Sequence, residues 1–250
     1  MRILGRTLAA LMLLTAVRQA PALEATKDGY TIVTSEELRA MISRQLPGLV
    51  VIDARTAEEY QQEHIKGAVN VPEPELSKNR TLLTFPKDAR LVFYCNGPRC
   101  GKSRKSALIA VEAGYRTVYV LAEGMPVWEE KGFEIYAGPD YEKKVATNRL
   151  NAQELKALID GKPGTFTLVD VRDPKEFAEG HIPGAVNIPS DVFAAGSGTL
   201  EKEKTIVVAC NSGGRSYNAY RKLQKLAYPN IRQTLVGEWK EAGFPLVTGP

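Results

Sequence analysis

Cys210, Asn211, Ser212, Gly213, Gly214, Arg215 and Ser216 form the stretch of this chain best suited to covalent chemistry. An apolar run at 206–209 precedes the cysteine and a helical pattern at 216–226 follows it, which puts the thiol between a strand end and a helix start. In sheets that alternate with helices, ligands bind there. Gly213 and Gly214 allow positive φ angles, which wrap a loop into a cradle of inward-pointing N–H groups. The helix adds its positive N-terminal end, and Arg215 adds a full charge. Such donors stabilise a thiolate over a thiol, so Cys210 is expected to be a ready nucleophile at neutral pH. The same cradle suits an anionic substrate or a charged sulfur intermediate. An inert structural cysteine would instead sit in apolar surroundings.

A second stretch, Cys95, Asn96, Gly97, Pro98, Arg99, Cys100, Gly101, Lys102 and Ser103, follows an apolar run at 91–94. It spans eight positions from cysteine to serine, against six in the other stretch. Lys102 stands where Arg215 does, keeping the charge but losing the planar fork. The candidate nucleophiles are therefore Cys210 and Cys95. The candidate substrate-binding residues are Asn211, Ser212, Gly213, Gly214, Arg215 and Ser216, with Asn96, Gly97, Arg99, Gly101, Lys102 and Ser103. Cys100 is a candidate resolving thiol or disulfide partner of Cys95, because a disulfide needs Cα atoms within about 7 Å and a curled five-residue separation meets that. The spacing differs from the Cys-x-x-Cys of dedicated redox sites and matches no structural zinc pattern, so no metal site is expected.

The elements that position these loops occur twice. Asp53, Arg55, Glu59, His64, Gly67, Asn70 and Pro72 reappear as Asp170, Arg172, Glu176, His181, Gly184, Asn187 and Pro189, at a constant offset of 117 residues. Thr34 with Glu37, and Asn151 with Glu154, have capping-box spacing and sit at the same offset. Helical apolar spacing follows each, at Leu38, Met41 and Ile42 and at Leu155, Leu158 and Ile159. Apolar runs at 49–52, 91–94 and 118–121, and at 166–169, 206–209 and 231–236, have the length of strands buried on both faces. Helices are expected at 103–113 and 216–226. This alternation predicts an α/β fold with a mainly parallel sheet in each copy. The copies end alike, at Trp128 and Phe133 and at Trp239 and Phe244. A repeat of this length is a duplicated domain rather than a solenoid unit, with domains expected at 28–140 and 147–250.

Taken together, the Asp-x-Arg pairs, the His-Ile-x-Gly-Ala-Val-Asn segments, the strand-end cysteine loop with Arg215 and Ser216, and the terminal tryptophans resemble the rhodanese family of sulfurtransferases. The resemblance covers nearly all of the chain beyond its N-terminal segment, twice. It implies two rhodanese-like domains, each with a central parallel sheet and helices on both faces. It also implies a loop cysteine that carries a transferable sulfur as a persulfide, between a small anionic donor such as thiosulfate and a thiol or protein acceptor, with no cofactor. His64 and His181 fall in turn segments that the resemblance assigns to the scaffold. Asp53, Arg55, Asp170 and Arg172 are expected to form strand-end ion pairs, and Trp128 and Trp239 to close the cores. Two alternatives stand beside sulfurtransferase activity: a non-catalytic sulfur-carrier or docking module for an exported partner, and a thiol redox protein working through Cys95 and Cys100. A phosphatase reading fits poorly, because four residues separate Cys210 from Arg215 whereas the related phosphatases have five.

Composition is that of an ordinary globular chain, 44% apolar and 25% charged over 250 residues. Residues 1–22 differ: Arg2 and Arg6 precede ten apolar positions, and Ala20, Pro21 and Ala22 offer a small-residue cleavage site. This is the pattern of a signal peptide, which predicts a periplasmic or secreted protein with no stable membrane span after cleavage. Losing Arg2, Arg6 and Arg18 lowers the formal charge from +4 to +1, and no basic stripe with interleaved aromatics remains to suggest nucleic acid.

Overall fold

The computed structural model describes residues 25–141 and 145–249; the leader expected at 1–22 lies outside them. In the first half the elements run β1 (Thr31–Val33), α1 (Ser35–Ser43), β2 (Leu49–Asp53), α2 (Ala57–Gln62), β3 (Glu63–Ile65), β4 (Val69–Asn70), α3 (Glu73–Lys78), β5 (Arg90–Tyr94), α4 (Lys102–Glu112), β6 (Thr117–Leu121), α5 (Gly124–Glu130) and β7 (Ile135–Ala137). The second half follows with α6 (Ala152–Gly161), β8 (Phe166–Asp170), α7 (Pro174–Glu179), β9 (Val186–Asn187), α8 (Phe193–Gly196), β10 (Thr205–Cys210), α9 (Gly214–Lys225), β11 (Ile231–Leu235) and α10 (Val236–Glu241). Among the described residues no helix is long and apolar enough to cross a membrane.

Local chemistry starts the helices where the sequence says it should. Thr34 and Asn151 accept the N–H groups of Glu37 and Glu154, whose carboxylates bond back to the cap N–H. Each such cap contributes on the order of 1 kcal/mol. Thr56 with Glu59 and Asp173 with Glu176 form two further capping boxes that the sequence reading passed over.

The first sheet has the order β1-β6-β5-β2-β4 and the second β11-β10-β8-β9, with every pairing parallel. Alternate side chains of the central strands enter opposite cores. Leu91 and Phe93 pack toward α3 and α4, while Val92 and Tyr94 pack with Leu38 of α1 and Trp128 of α5. Likewise Ile206, Val208 and Cys210 face α8 and α9, and Val207 and Ala209 face Leu155 and Trp239. Burying each large apolar side chain contributes about 1.5–3 kcal/mol. Both tryptophans are closed in, their ring N–H groups donating to the carbonyls of Glu134 and Pro245.

The halves differ at their edges. β1 and the antiparallel β3–β7 pair of the first domain shrink in the second to single bridges, Arg149 with Gln233 and His181 with Val247. Neither β1 nor β3–β7 was anticipated: three-residue strands carry too few positions to show a period, and β3 places polar Glu63 and His64 in buried positions.

α9 ties the domains together. Lys222 pairs with buried Glu130, whose carboxylate also accepts the N–H of Ala194, and Lys225 reaches Glu129 at 2.7 Å and Glu63 at 3.6 Å.

Candidate active site

Each cysteine of interest sits at the C-terminal end of an interior strand of its sheet, Cys210 as the last residue of β10 and Cys95 just after β5, and a helix starts a few residues later. The Asp-x-Arg pairs fix the strand ends. Arg55 grips Asp53 through Nε and a terminal nitrogen at 3.1 and 2.8 Å, and Arg172 grips Asp170 at 3.0 and 2.6 Å. All four side chains are buried, so removing one partner would strand a charge, at about 3–5 kcal/mol. The second terminal nitrogen of each arginine points to the residue after the cysteine, to Asn96 Oδ1 at 3.5 Å and Asn211 Oδ1 at 3.4 Å. Asn70 and Asn187 donate to the carbonyls on either side of these turns. The expected ion pairs are therefore present, and they also hold the first residue of each loop.

At Cys210 the backbone donors converge. The N–H groups of Gly213 and Ser216 approach Sγ at 3.2 and 3.3 Å, and Ser216 Oγ lies 3.2 Å away. Gly213 adopts φ +107°, a conformation that costs an L side chain about 1–2 kcal/mol, and this turns its N–H inward. Gly214 departs from the expectation of positive φ: it is the first residue of α9 and takes helical geometry, so one glycine makes the turn. Gln233 on β11 braces the loop by donating to Gly213 O and Ser216 Oγ at 3.0 and 2.8 Å. Gly237 closes the other side; a Cβ there would lie 2.8 Å from Asn211 O. Cys210 itself is buried, whereas Asn211, Ser212 and Gly214 are exposed above it.

Arg215 does not point a bare charge at the sulfur. It forms a two-point ion pair with Glu176, which also accepts from Asn211 Nδ2 at 2.9 Å. The Arg215 bond holds the Glu176 carboxyl down at about 2. In the first domain Glu59 plays the same part, accepting from Asn96 and lying 3.7 Å from Lys102. Burial raises Glu59, but Asn96, the Thr56 N–H and Lys102 outweigh it and keep it below the usual carboxylate range. These two glutamates were part of the repeat but were not read as loop anchors; their capping spacing, recurring at the 117-residue offset, was the available signal.

Cys95 keeps only part of this arrangement. Ser103 Oγ lies 3.3 Å from its Sγ, so Ser103 matches Ser216 despite the longer loop. The Cys95 thiol, however, donates to the carbonyl of Cys100 at 3.3 Å. Its bond to the Cys100 side chain, then burial, push it well above the usual thiol range. Cys100 moves the other way: the bond from Cys95 and the N–H groups of Lys102 and Asn96 overcome partial burial and bring it to about 6. All three cysteines are free thiols. Gly97 makes the turn at φ +111° and packs under domain 2, where a Cβ would sit 2.9 Å from Leu226 Cδ2. Arg99 crosses to domain 2 and donates to Leu200 O, and exposed Gly101 immediately precedes α4. His64 and His181 bond through Nδ1 to the carbonyls of Tyr60 and Phe177 and stack on those rings, a scaffold role.

Comparison with known proteins gives this arrangement its context. The family model described as rhodanese-like domain matches residues 34–131 and again 151–241. The 3-mercaptopyruvate sulfurtransferase of Escherichia coli is 28% identical over 79% of this chain and 90% of its own length. A putative thiosulfate sulfurtransferase, SseB, of Mycobacterium tuberculosis is 29% identical over 69% of this chain and 75% of its own. An HTH-type transcriptional regulator of the same organism is 36% identical over 49% of this chain, which spans about half the length of that relative. Among solved structures, SseA of Escherichia coli aligns at TM-score 0.35 and 23% identity over 82% of this chain and 97% of that one.

Proposed function

This chain belongs to the rhodanese-like family in both of its halves, and on that premise we propose that it is an exported sulfurtransferase working through a persulfide on Cys210. The observation that carries the proposal is the convergence of the Gly213 and Ser216 N–H groups on the sulfur at the end of β10. The thiolate attacks the outer sulfur of a donor such as thiosulfate, the S–S bond of the donor breaks, and sulfite departs with the bonding pair. The new Cys210 persulfide carries its charge on the outer sulfur, beside donors fixed before the reaction begins. An acceptor thiolate then takes that sulfur and returns Cys210 to the thiolate, which completes covalent catalysis in two halves. Arg215 and Glu176 are positioning residues that keep the loop wrapped around the sulfur.

Relatives named for thiosulfate and for 3-mercaptopyruvate match at almost the same identity, so thiosulfate is proposed as the donor because the N–H donors around Cys210 suit a small anion. Export is proposed from the leader pattern at 1–22. Intact-mass spectrometry after thiosulfate treatment tests the mechanism. The variant lacking Cys95 and Cys100 should gain about 32 Da, the mass of one sulfur held covalently, and lose the gain when Cys210→Ser is added. No gain in a protein whose only thiol is Cys210 refutes the reading.

A further inference from the structure

We propose that the first domain's loop is a sulfide-releasing site, in which Cys100 takes a sulfane sulfur and Cys95 expels it as hydrosulfide by closing a Cys95–Cys100 disulfide. The proposal rests on the donor class named above and gives the two domains different products.

Three features of the loop support it. The two residues that lengthen it carry the second thiol inward, and the Cys100 N–H bonds Gly97 O at 2.9 Å, so the loop is already curled onto itself. The Cys95 thiol lies deeper and points its hydrogen at Cys100, its Sγ 3.3 Å from the Cys100 carbonyl. Cys100 is half-buried and faces a small cavity at the seam between domains, together with Asn96, Arg99, Lys202 and Tyr228. The cavity encloses about 260 Å³ of empty space, counting the solvent at its mouth, which admits a small anion such as thiosulfate and not a bulky acceptor. Arg99 and Lys202 give it a positive wall, suited to the outer sulfur of a persulfide anion.

Protonation sets the order of events. The lowered Cys100 is the better first nucleophile, while the raised Cys95 stays a thiol until a leaving group is in place. Cys100 thiolate attacks the outer sulfur of thiosulfate and sulfite leaves, giving Cys100–S–S⁻. Cys95 sulfur then attacks the Cys100 sulfur, and the bond to the outer sulfur breaks. The Cys95 proton passes to that departing atom, which leaves as HS⁻. The two thiol sulfurs are oxidised by one electron each, and the sulfane sulfur is reduced by two. An external dithiol returns the disulfide to the starting pair.

The test uses the full chain carrying Cys210→Ser, treated anaerobically with thiosulfate. One equivalent of sulfide should appear, and the protein should lose about 2 Da as the disulfide forms. With Cys95→Ser added, or Cys95→Ala as a second variant, the sulfur should stay trapped as about 32 Da on the Cys100 peptide, with no sulfide released. With Cys100→Ser added, neither product should form. A persulfide on Cys95 in that last variant, or neither sulfide nor disulfide from the Cys210→Ser protein, overturns the proposal. The Cys210-only protein described above reports on the other domain independently, so failure of one reading leaves the other standing.

Discussion

The two cysteine loops start from the same strand end and finish at the same serine contact, yet they present different chemistry. In the second loop, six positions wrap two N–H groups around Cys210 and leave Asn211, Ser212 and Gly214 open to solvent. In the first, eight positions carry a second thiol inward, its amides serve Cys100, and domain 2 lies over Gly97. The anchors are shared: an Asp-x-Arg pair and a glutamate capping the preceding helix. A common frame can therefore turn its amides toward a different sulfur when the length and composition of the loop change.

Replacing the sulfur itself separates the loops most sharply. Cys210→Ser is expected to lower steady-state thiosulfate:cyanide turnover by about a thousandfold or more, as loss of a covalent nucleophile does. Removing Cys95 and Cys100 together should leave that rate within about threefold of wild type, since the Cys95 and Cys210 thiols share no hydrogen-bond partner among the described residues and such sites act nearly independently. Comparable losses from both changes would mean that the two loops act as one site.

Glycine at the turn comes next. Gly213→Ala forces a Cβ into positive φ and misdirects the 3.2 Å N–H contact, so kcat should fall about ten- to a hundredfold. Gly97→Ala should leave this turnover alone and act instead on thermal stability, because its Cβ meets Leu226 at 2.9 Å. A fall in kcat from Gly97→Ala, measured beside its melting temperature, would break the separation.

Thiol reactivity resolves the first loop internally. In the Cys210→Ser protein, alkylation of Cys100 should rise with pH to a midpoint near 6 while Cys95 stays unlabelled, followed by peptide mass mapping. Because the bond from Cys95 is the leading cause, Cys95→Ala should move that midpoint up by about one unit, roughly a fivefold loss of rate near pH 6. Faster labelling of Cys95 than of Cys100 would reverse the assignment.

What could be read from sequence was what local spacing encodes. The caps at Thr34 and Asn151, the central strands and the start of α9 all follow from patterns a few residues long. The loop anchors Glu59 and Glu176 escaped because their asparagine partners lie 37 and 35 residues away, and the repeated capping spacing marks the glutamates without marking their partners. The cover over Gly97 escaped for a similar reason, since docking between domains leaves no periodicity. Arg215 was legible as a charge near the sulfur, but Glu176 largely compensates it, which makes it a clamp on the loop. Cys100 was visible as an additional thiol. That the amides turn toward it depends on how two additional residues curl, which composition does not specify.

The smallest expected effect tests whether the clamps are equivalent. Glu176 is held near 2 by Arg215, against about 4.3 for a free glutamate, so its pairing stabilises the folded state above about pH 4.5 and is lost as pH falls toward 2. The pair is partly exposed, which limits it to about 0.5–1 kcal/mol, or two- to fivefold in loop-dependent rate. Thermal melts should show a constant gap between wild type and Glu176→Gln above pH 4.5 that closes below it. The kcat loss should appear in thiosulfate turnover for Glu176→Gln and not for Glu59→Gln. If both substitutions slowed turnover alike, the second domain's loop would depend on its counterpart across the seam through Glu63, Lys225 and α9, and the two loops would have to be treated as mechanically coupled.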